Sequence, residues 1–320
     1  MDQVSRLEYK LRYDKEVPIA DVQYRIFLQR KQYEHFIIVE GTSDIPFYYY
    51  TNTLKGINNF KIISAPEENI DKIVGKKYVI NVYQILKKDK YHSKEMNKYV
   101  FIVDHDYDGI EKYYNILEHR FVVLSKQEQN CISCTKYYAI ENYFLTYNNL
   151  KIIFGKFGII DQLTDFINEF KKLVIETKEY FSLMATTMYA VKNNIKLNRL
   201  NIKTNDIFKD FKFKEKYLYK NRRYTYNREL LEKAISERKD TINKSIERNK
   251  LYKIKKQYEK LIEEENYIQG HAAYNFLKCY LWEFFKINIK QKYDIEDYRK
   301  ILEEINVEIE LKYGNGKKIV

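Results

Sequence analysis

Three prolines and nine glycines in 320 residues leave little material for rigid turns or glycine-rich loops, so long helices are expected. Three cysteines are too few for a disulfide-stapled scaffold and fit a reducing compartment. Two of them, Cys131 and Cys134, form a C-x-x-C. A zinc site needs a second pair, or histidines at ligand spacing, and only Cys279 and His271 follow, far down the chain. Free thiols are the default. There is no early apolar run of the signal-peptide kind and no apolar stretch of about eighteen residues, so the chain is read as cytoplasmic, with no membrane association. The Walker A pattern G-x-x-x-x-G-K-[ST] is also missing, so the chain is not itself a P-loop ATPase.

What is present is a core. Hydrophobic residues make up 45% and charged residues 32%, which is not a disordered composition. Thirty-two tyrosines accompany abundant Lys, Ile and Asn, the bias of an AT-rich coding sequence, so the tyrosine count carries no functional weight. The net charge of +12 is unevenly placed. Residues 1–150 hold 21 Lys and Arg against 20 Asp and Glu, while 151–320 hold 36 against 25. A neutral front half and a basic back half suggest a catalytic part followed by a polyanion-binding part. The plainer alternative is a back half of solvated, lysine-coated helices.

The front half alternates. "FIIV" (36–39), "FKIIS" (60–64), "YVFIV" (99–103) and "FVVL" (121–124) are short apolar runs of strand type. Helical patterns lie between them at about 43–54, 69–88 and 110–117. Continuous apolar strands separated by helices imply a parallel sheet covered on both faces, an α/β fold with flanking helices. After about residue 150 the period is helical, over 161–193 and 226–286, and a mainly α-helical C-terminal half is expected. The division is 1–150 and 151–320. The run 226–266 is highly charged with a sparse apolar stripe. It reads as a solvated helical hairpin, a coiled coil or a dimer seam. Residues 205–225, rich in Lys, Arg, Phe and Tyr without periodicity, form a candidate basic loop. Within it Lys212, Lys214, Lys216, Lys220, Arg222 and Arg223 are the candidate nucleic-acid contacts.

Two hydrophobic runs end on acids. "VEGTSD" (39–44) ends the first strand at Glu40, and "DHDYD" (104–108) ends the 99–103 strand with three aspartates. In parallel α/β sheets functional groups gather at the carboxyl ends of strands. If the two strands are neighbours, Glu40, Asp104 and Asp106 converge there. Residues two apart in an extended chain point the same way, which accounts for the D-x-D. Clustered carboxylates repel, and a divalent cation relieves the conflict; oxygen-only ligands favour magnesium or manganese over zinc. On repulsion alone, Glu40→Ala would stabilise the metal-free chain. Asp44, Asp108 and Glu141 are candidates for a second ion. Plainer roles stand beside these: Glu40 as an acid at a helix N-terminus, Glu141 as a buried acid paired with a lysine, His271 as a core or capping histidine. The D-x-D-x-D-G opening mimics a calcium loop, but Asn115 occupies the last loop position and a strand precedes it.

The order of these elements, a strand-terminal glutamate followed by glycine and then a D-x-D at a later strand end, resembles the TOPRIM domain of topoisomerases, primases and overcoming-lysogenization-defect nucleases. The resemblance covers about residues 34–125. "YYAIENYFL" (137–145) and "IQGHAAYNFL" (268–277) are similar to later elements of the AriB-type TOPRIM effectors of PARIS anti-phage systems, although Ala272 stands where that family shows an acid. The resemblance implies a magnesium-dependent endonuclease, with manganese as a substitute. Glu40, Asp104 and Asp106 would be its catalytic metal ligands and His271 an accessory group. It also implies a transfer RNA substrate, an abortive-infection role, control by an ABC-type ATPase of the same system, and an active homodimer. A DNA endonuclease of the overcoming-lysogenization-defect type and a catalytically silent TOPRIM-like binding module are the alternatives. The cation that neutralises the transition state is expected from the basic half.

Overall fold

In a computed structural model of the chain, the structure describes residues 12–14, 16–66, 75–105, 130–137, 139–192, 195–197, 207–208, 212–215, 222–265, 270–287, 289 and 296–319. These fall into two compact units. One is drawn from 1–105, 124–140 and 291–320, the other from 106–123 and 141–290.

The first unit is built on a parallel sheet. Strands β1 (Tyr13–Asp14), β2 (His35–Val39), β3 (Phe60–Ser64), β4 (Tyr99–Val103) and β5 (Ser133–Cys134) lie in the order β1-β3-β2-β4-β5. Every adjacent pair is parallel. Three of the four apolar runs expected as strands form its centre, and β4 is buried along its whole length. The chain visits β1, β2, β3 and β4 through α1 (Ile19–Gln29), α2 (Asp44–Tyr50) and α3 (Gly75–Lys88). Right-handed connections, the rule for parallel strands, put α2 on one face and α1 and α3 on the other. Accordingly α1 packs on α3, and α3 on β2 and β4. On α3 the stripe Tyr78, Val79, Val82, Tyr83, Leu86 is buried, one face of a helix, and Lys87 and Lys88 sit at its C-terminal end, where the helix dipole favours cations. On the other face α2 packs against α9 (Glu296–Leu302).

The open edge of β4 is covered in two pieces. Ile102 and Val103 pair with Ser133 and Cys134 of β5, while Val100 bridges antiparallel to Tyr313. Gly314 N–H donates to Tyr99 O at 2.7 Å, and Lys312 N–H donates to Ser133 Oγ at 2.8 Å, which joins the two pieces. Gly314 lies so close that a Cβ there would sit 2.7 Å from Met96 Cε and 3.0 Å from both Met96 O and Phe101 Cε2. The division at residue 150 and the observed units therefore differ: 296–319 belongs with the sheet.

The second unit is mainly helical, with α4 (Tyr147–Lys156), α5 (Leu163–Lys192), α6 (Arg228–Asn243), α7 (Arg248–Glu265) and α8 (Gly270–Phe285). The 30-residue α5 is its spine, and α6 and α7 pack along it. Thr177, Ser182, Thr186 and Thr187 are buried on α5, each hydroxyl donating to a carbonyl in the preceding turn, which removes the cost of burying it. The sparse stripe of 226–266 is spent inside the chain. Leu231, Ala234, Ile242, Leu251, Ile254, Tyr258, Leu261 and Ile262 are all buried, and Arg238 stacks on Tyr180 of α5 at 4.9 Å. Lys239 and Lys255 reach Glu179 at 2.9 and 3.6 Å. This corrects the ground given for a dimer seam, because those apolar positions already face α5. The candidate basic loop is corrected too. Part of it is an antiparallel pair, β6 (Lys212–Glu215) and β7 (Arg222–Thr225), with Lys214 opposite Arg223.

Candidate functional site

Glu40 follows β2 and Asp104 follows β4, and these strands are neighbours with Ile37 opposite Val100 and Ile38 opposite Phe101. Both acids therefore leave the sheet at its carboxyl edge, side by side and half-buried. Asp104 N–H donates to Glu40 Oε1 at 2.7 Å. A carboxylate ending an apolar strand is thus provided for: it accepts a hydrogen bond from the next strand's exit.

The loop after Glu40 is shaped by Asp44. Its Oδ2 accepts from Gly41 N–H at 3.0 Å and its Oδ1 from the Ser43 hydroxyl at 3.3 Å. Asp44 also stands in the first turn of α2, where the dipole favours an acid. The second-ion candidate is thereby placed as the former of the tight turn that follows Glu40.

Helix α3 begins at the same edge. Gly75 has φ +58°, the left-handed region that favours glycine, and a Cβ there would lie 3.5 Å from Glu40 Oε2. Lys76 Nζ donates to His105 O at 3.4 Å. A lysine of the front half thus reaches the exit of β4, whereas sequence reasoning sought the site's cation only in 151–320. No local signal pointed to it, since Lys76 is one of five lysines in the helical pattern 69–88.

A third strand exit completes the edge. Thr135 follows β5 and is 2% exposed. Its N–H donates to Val103 O at 3.0 Å, its Oγ1 accepts from His105 N–H at 2.8 Å and donates to Tyr137 O at 2.9 Å. Nothing in the sequence singled out Thr135, since a threonine after a two-residue strand carries no pattern.

Glu141 is 3% exposed within the 3-10 turn Ile140–Leu145, and the turn continues into the second unit. Cys131 and Cys134 are free thiols. Asp106, Asp108, Lys216 and Lys220 lie outside the described residues, as do the expected helix 110–117 and strand 121–124. Lys212, Lys214, Arg222 and Arg223 are described as strand backbone and His271 as backbone of α8, their side chains lying outside the description.

Among the described residues no group of three or more His, Cys, Asp or Glu is disposed to hold a metal ion. Two of the three expected ligands, Glu40 and Asp104, are brought together. Magnesium typically takes only one or two protein carboxylates, completing its shell with waters and substrate phosphate oxygens, so this pair fits such an ion. The donors are oxygen only, which disfavours zinc. Among the described residues no helix is long and apolar enough to cross a membrane. No family model, no curated protein and no solved structure matches the chain.

Proposed function

We propose that this chain is a metal-dependent endonuclease of the TOPRIM kind that hydrolyses phosphodiester bonds in RNA, with transfer RNA as its substrate. Its role is that of an effector in anti-phage defence, held in check by an ABC-type ATPase. One observation carries the reading: Glu40 and Asp104 are hydrogen-bonded at the carboxyl ends of adjacent parallel strands. The motif order is the ground of the resemblance, and the α/β class with a parallel sheet is compatible with the fold it implies.

In this reading Glu40, Asp104 and Asp106 hold the ion, and the Asp44 turn fixes the backbone next to Glu40. A bound magnesium would supply Lewis-acid polarisation of the phosphate and a more acidic water. Lys76, at the exit of β4, is placed to neutralise phosphate charge. The basic β6–β7 pair tracks the nucleic-acid backbone, and nucleotide hydrolysis comes from the partner.

Purified protein incubated with transfer RNA and with plasmid DNA, in Mg2+ and in EDTA, tests this. Mg2+-dependent cleavage of transfer RNA that Glu40→Gln abolishes is the expected result. Cleavage of the plasmid alone would move the assignment to a DNA endonuclease. A second reading is favoured by the same hydrogen bond, since Glu40 already has a structural task at Asp104. Binding of nucleic acid without cleavage in any divalent metal would identify a silent binding module.

A further inference from the structure

The main-chain groups at the exit of β4 have partners from three other elements. Val103 O accepts from Thr135 N–H, Asp104 N–H donates to Glu40, His105 N–H donates to Thr135 Oγ1, and His105 O accepts from Lys76. Two of these four bonds go to one residue. Thr135 grips the chain on both sides of Asp104, at Val103 and at His105, and its hydroxyl hydrogen is spent on Tyr137 O. That last bond fixes the hydroxyl rotor, so a lone pair of Oγ1 faces His105 N–H.

We infer that Thr135 is a positioning residue of the metal site: its hydroxyl sets the backbone of 103–105, and through it the direction in which Asp104 presents its carboxylate. The inference rests on the metal-site reading above. The physical requirement is geometric. A peptide leaving a strand is free to turn about its own φ and ψ unless its N–H and C=O are held, and a ligand carboxylate must be held closely to bind an ion. Glu40 restrains one N–H in this turn, but a metal ligand that moves with its own restraint supplies no fixed frame. Thr135 supplies it from the exit of the neighbouring strand β5, where it is buried. Groups that orient ligands in this way typically contribute about 10- to 100-fold to metal affinity.

Calorimetric titration of the full chain with Mg2+ and Mn2+ tests this, alongside the thermal midpoint and cleavage. Thr135→Val, which removes the hydroxyl at nearly constant volume, is expected to weaken divalent-cation binding about tenfold or more. Thr135→Ser, which keeps the hydroxyl, is expected to stay within about threefold of wild type. Equal affinity in wild type and Thr135→Val overturns the inference, as does a loss in Thr135→Ser as large as that in Thr135→Val, because the hydroxyl that serine keeps would then not account for binding. A wild-type chain that takes up neither cation sinks the metal-site reading, and the inference with it. Should Thr135→Val not fold, hydrogen exchange at the His105 amide of the metal-free wild-type chain decides: protection against exchange supports a held turn, and exchange at the rate of an open amide overturns it.

Discussion

The backbone N–H of Asp104 donates to Glu40 Oε1 at 2.7 Å, so the two acids that end β2 and β4 are tied to one another before any ion arrives. That bond reverses a sign. Repulsion between clustered carboxylates alone would make removal of Glu40 stabilising. With the bond in place, removal leaves a half-buried N–H without its charged acceptor, a loss of about 1.5–3 kcal/mol.

Glu40→Gln and Glu40→Ala should therefore separate. Glutamine keeps an acceptor for Asp104 N–H and loses the charge, so it is expected to fold within about 1 kcal/mol of wild type while losing divalent-cation binding. Alanine is expected to lose binding and about 1.5–3 kcal/mol of stability besides. Urea denaturation of the two variants reads the difference; an alanine variant more stable than wild type would restore the repulsion account.

The buried stripe of α6 and α7 makes a prediction about association. Leu251→Ala should cost about 2–5 kcal/mol, the range for emptying a core site, and leave the association state unchanged. Light scattering coupled to size exclusion checks it. A variant that folds normally but dissociates a dimer would return the stripe to an interface.

Charge reversal in the β6–β7 pair, at Lys212, Lys214, Arg222 and Arg223, is expected to weaken nucleic-acid binding and lower its dependence on log salt by about one unit per phosphate contact removed. Divalent-cation binding should be untouched. Binding that ignores both the substitutions and salt would mark this surface as irrelevant to polyanions.

His92 is buried, and its Nδ1 lies 2.7 Å from the Tyr99 hydroxyl. Burial lowers its pKa from the ordinary 6.5, against the opposing pull of Asp89 and Glu95 and with a small further push from Arg30. His35, stacked on Tyr313, is lowered by burial as well. Below the ordinary value the unfolded chain takes up a proton that the folded chain refuses. The stability associated with these histidines is therefore complete above about pH 6.5 and is lost as pH falls below it. Thermal midpoints between pH 7.5 and 5 should fall, and His92→Gln should fall less steeply. Parallel curves for the two proteins would remove His92 as the cause.

Gly314→Ala should destabilise by about 1–3 kcal/mol, the ordinary cost of overpacking, because two of the three contacts its methyl would make are Met96 backbone and the Phe101 ring. Denaturant midpoints read this. An unchanged midpoint would mean that the tail shifts away from β4 freely.

The three central strands were legible because each is a short, mostly apolar run, while the neighbouring of β2 and β4 entered only as the condition under which their terminal acids would meet. Other features have no local signature. Thr135 matters through partners on another strand, and Tyr313 covers β4 from more than two hundred residues away. The β6–β7 pair escaped detection because Lys-Phe-Lys-Glu and Arg-Arg-Tyr-Thr lack the apolar alternation that marks a half-buried strand. The stripe of 226–266 was legible as helical, but the choice among a hairpin, a coiled coil and a dimer seam was not, since a sequence cannot by itself pair the stripe with α5.

The two-piece cover on β4 has a consequence for biosynthesis. Residues 99–103 leave the ribosome early, while the segment that bridges Val100 and bonds Tyr99 is made some two hundred residues later. Translation proceeds at about 5–20 residues per second, so the Tyr99–Val100 part of the β4 edge stays uncovered for about ten seconds or more, while β5 reaches Ile102 and Val103 much sooner. The helices of 147–285 all belong to the second unit and are complete in that interval. The cover of β4 is therefore completed last, when Tyr313 and Gly314 reach the Tyr99–Val100 end of the strand.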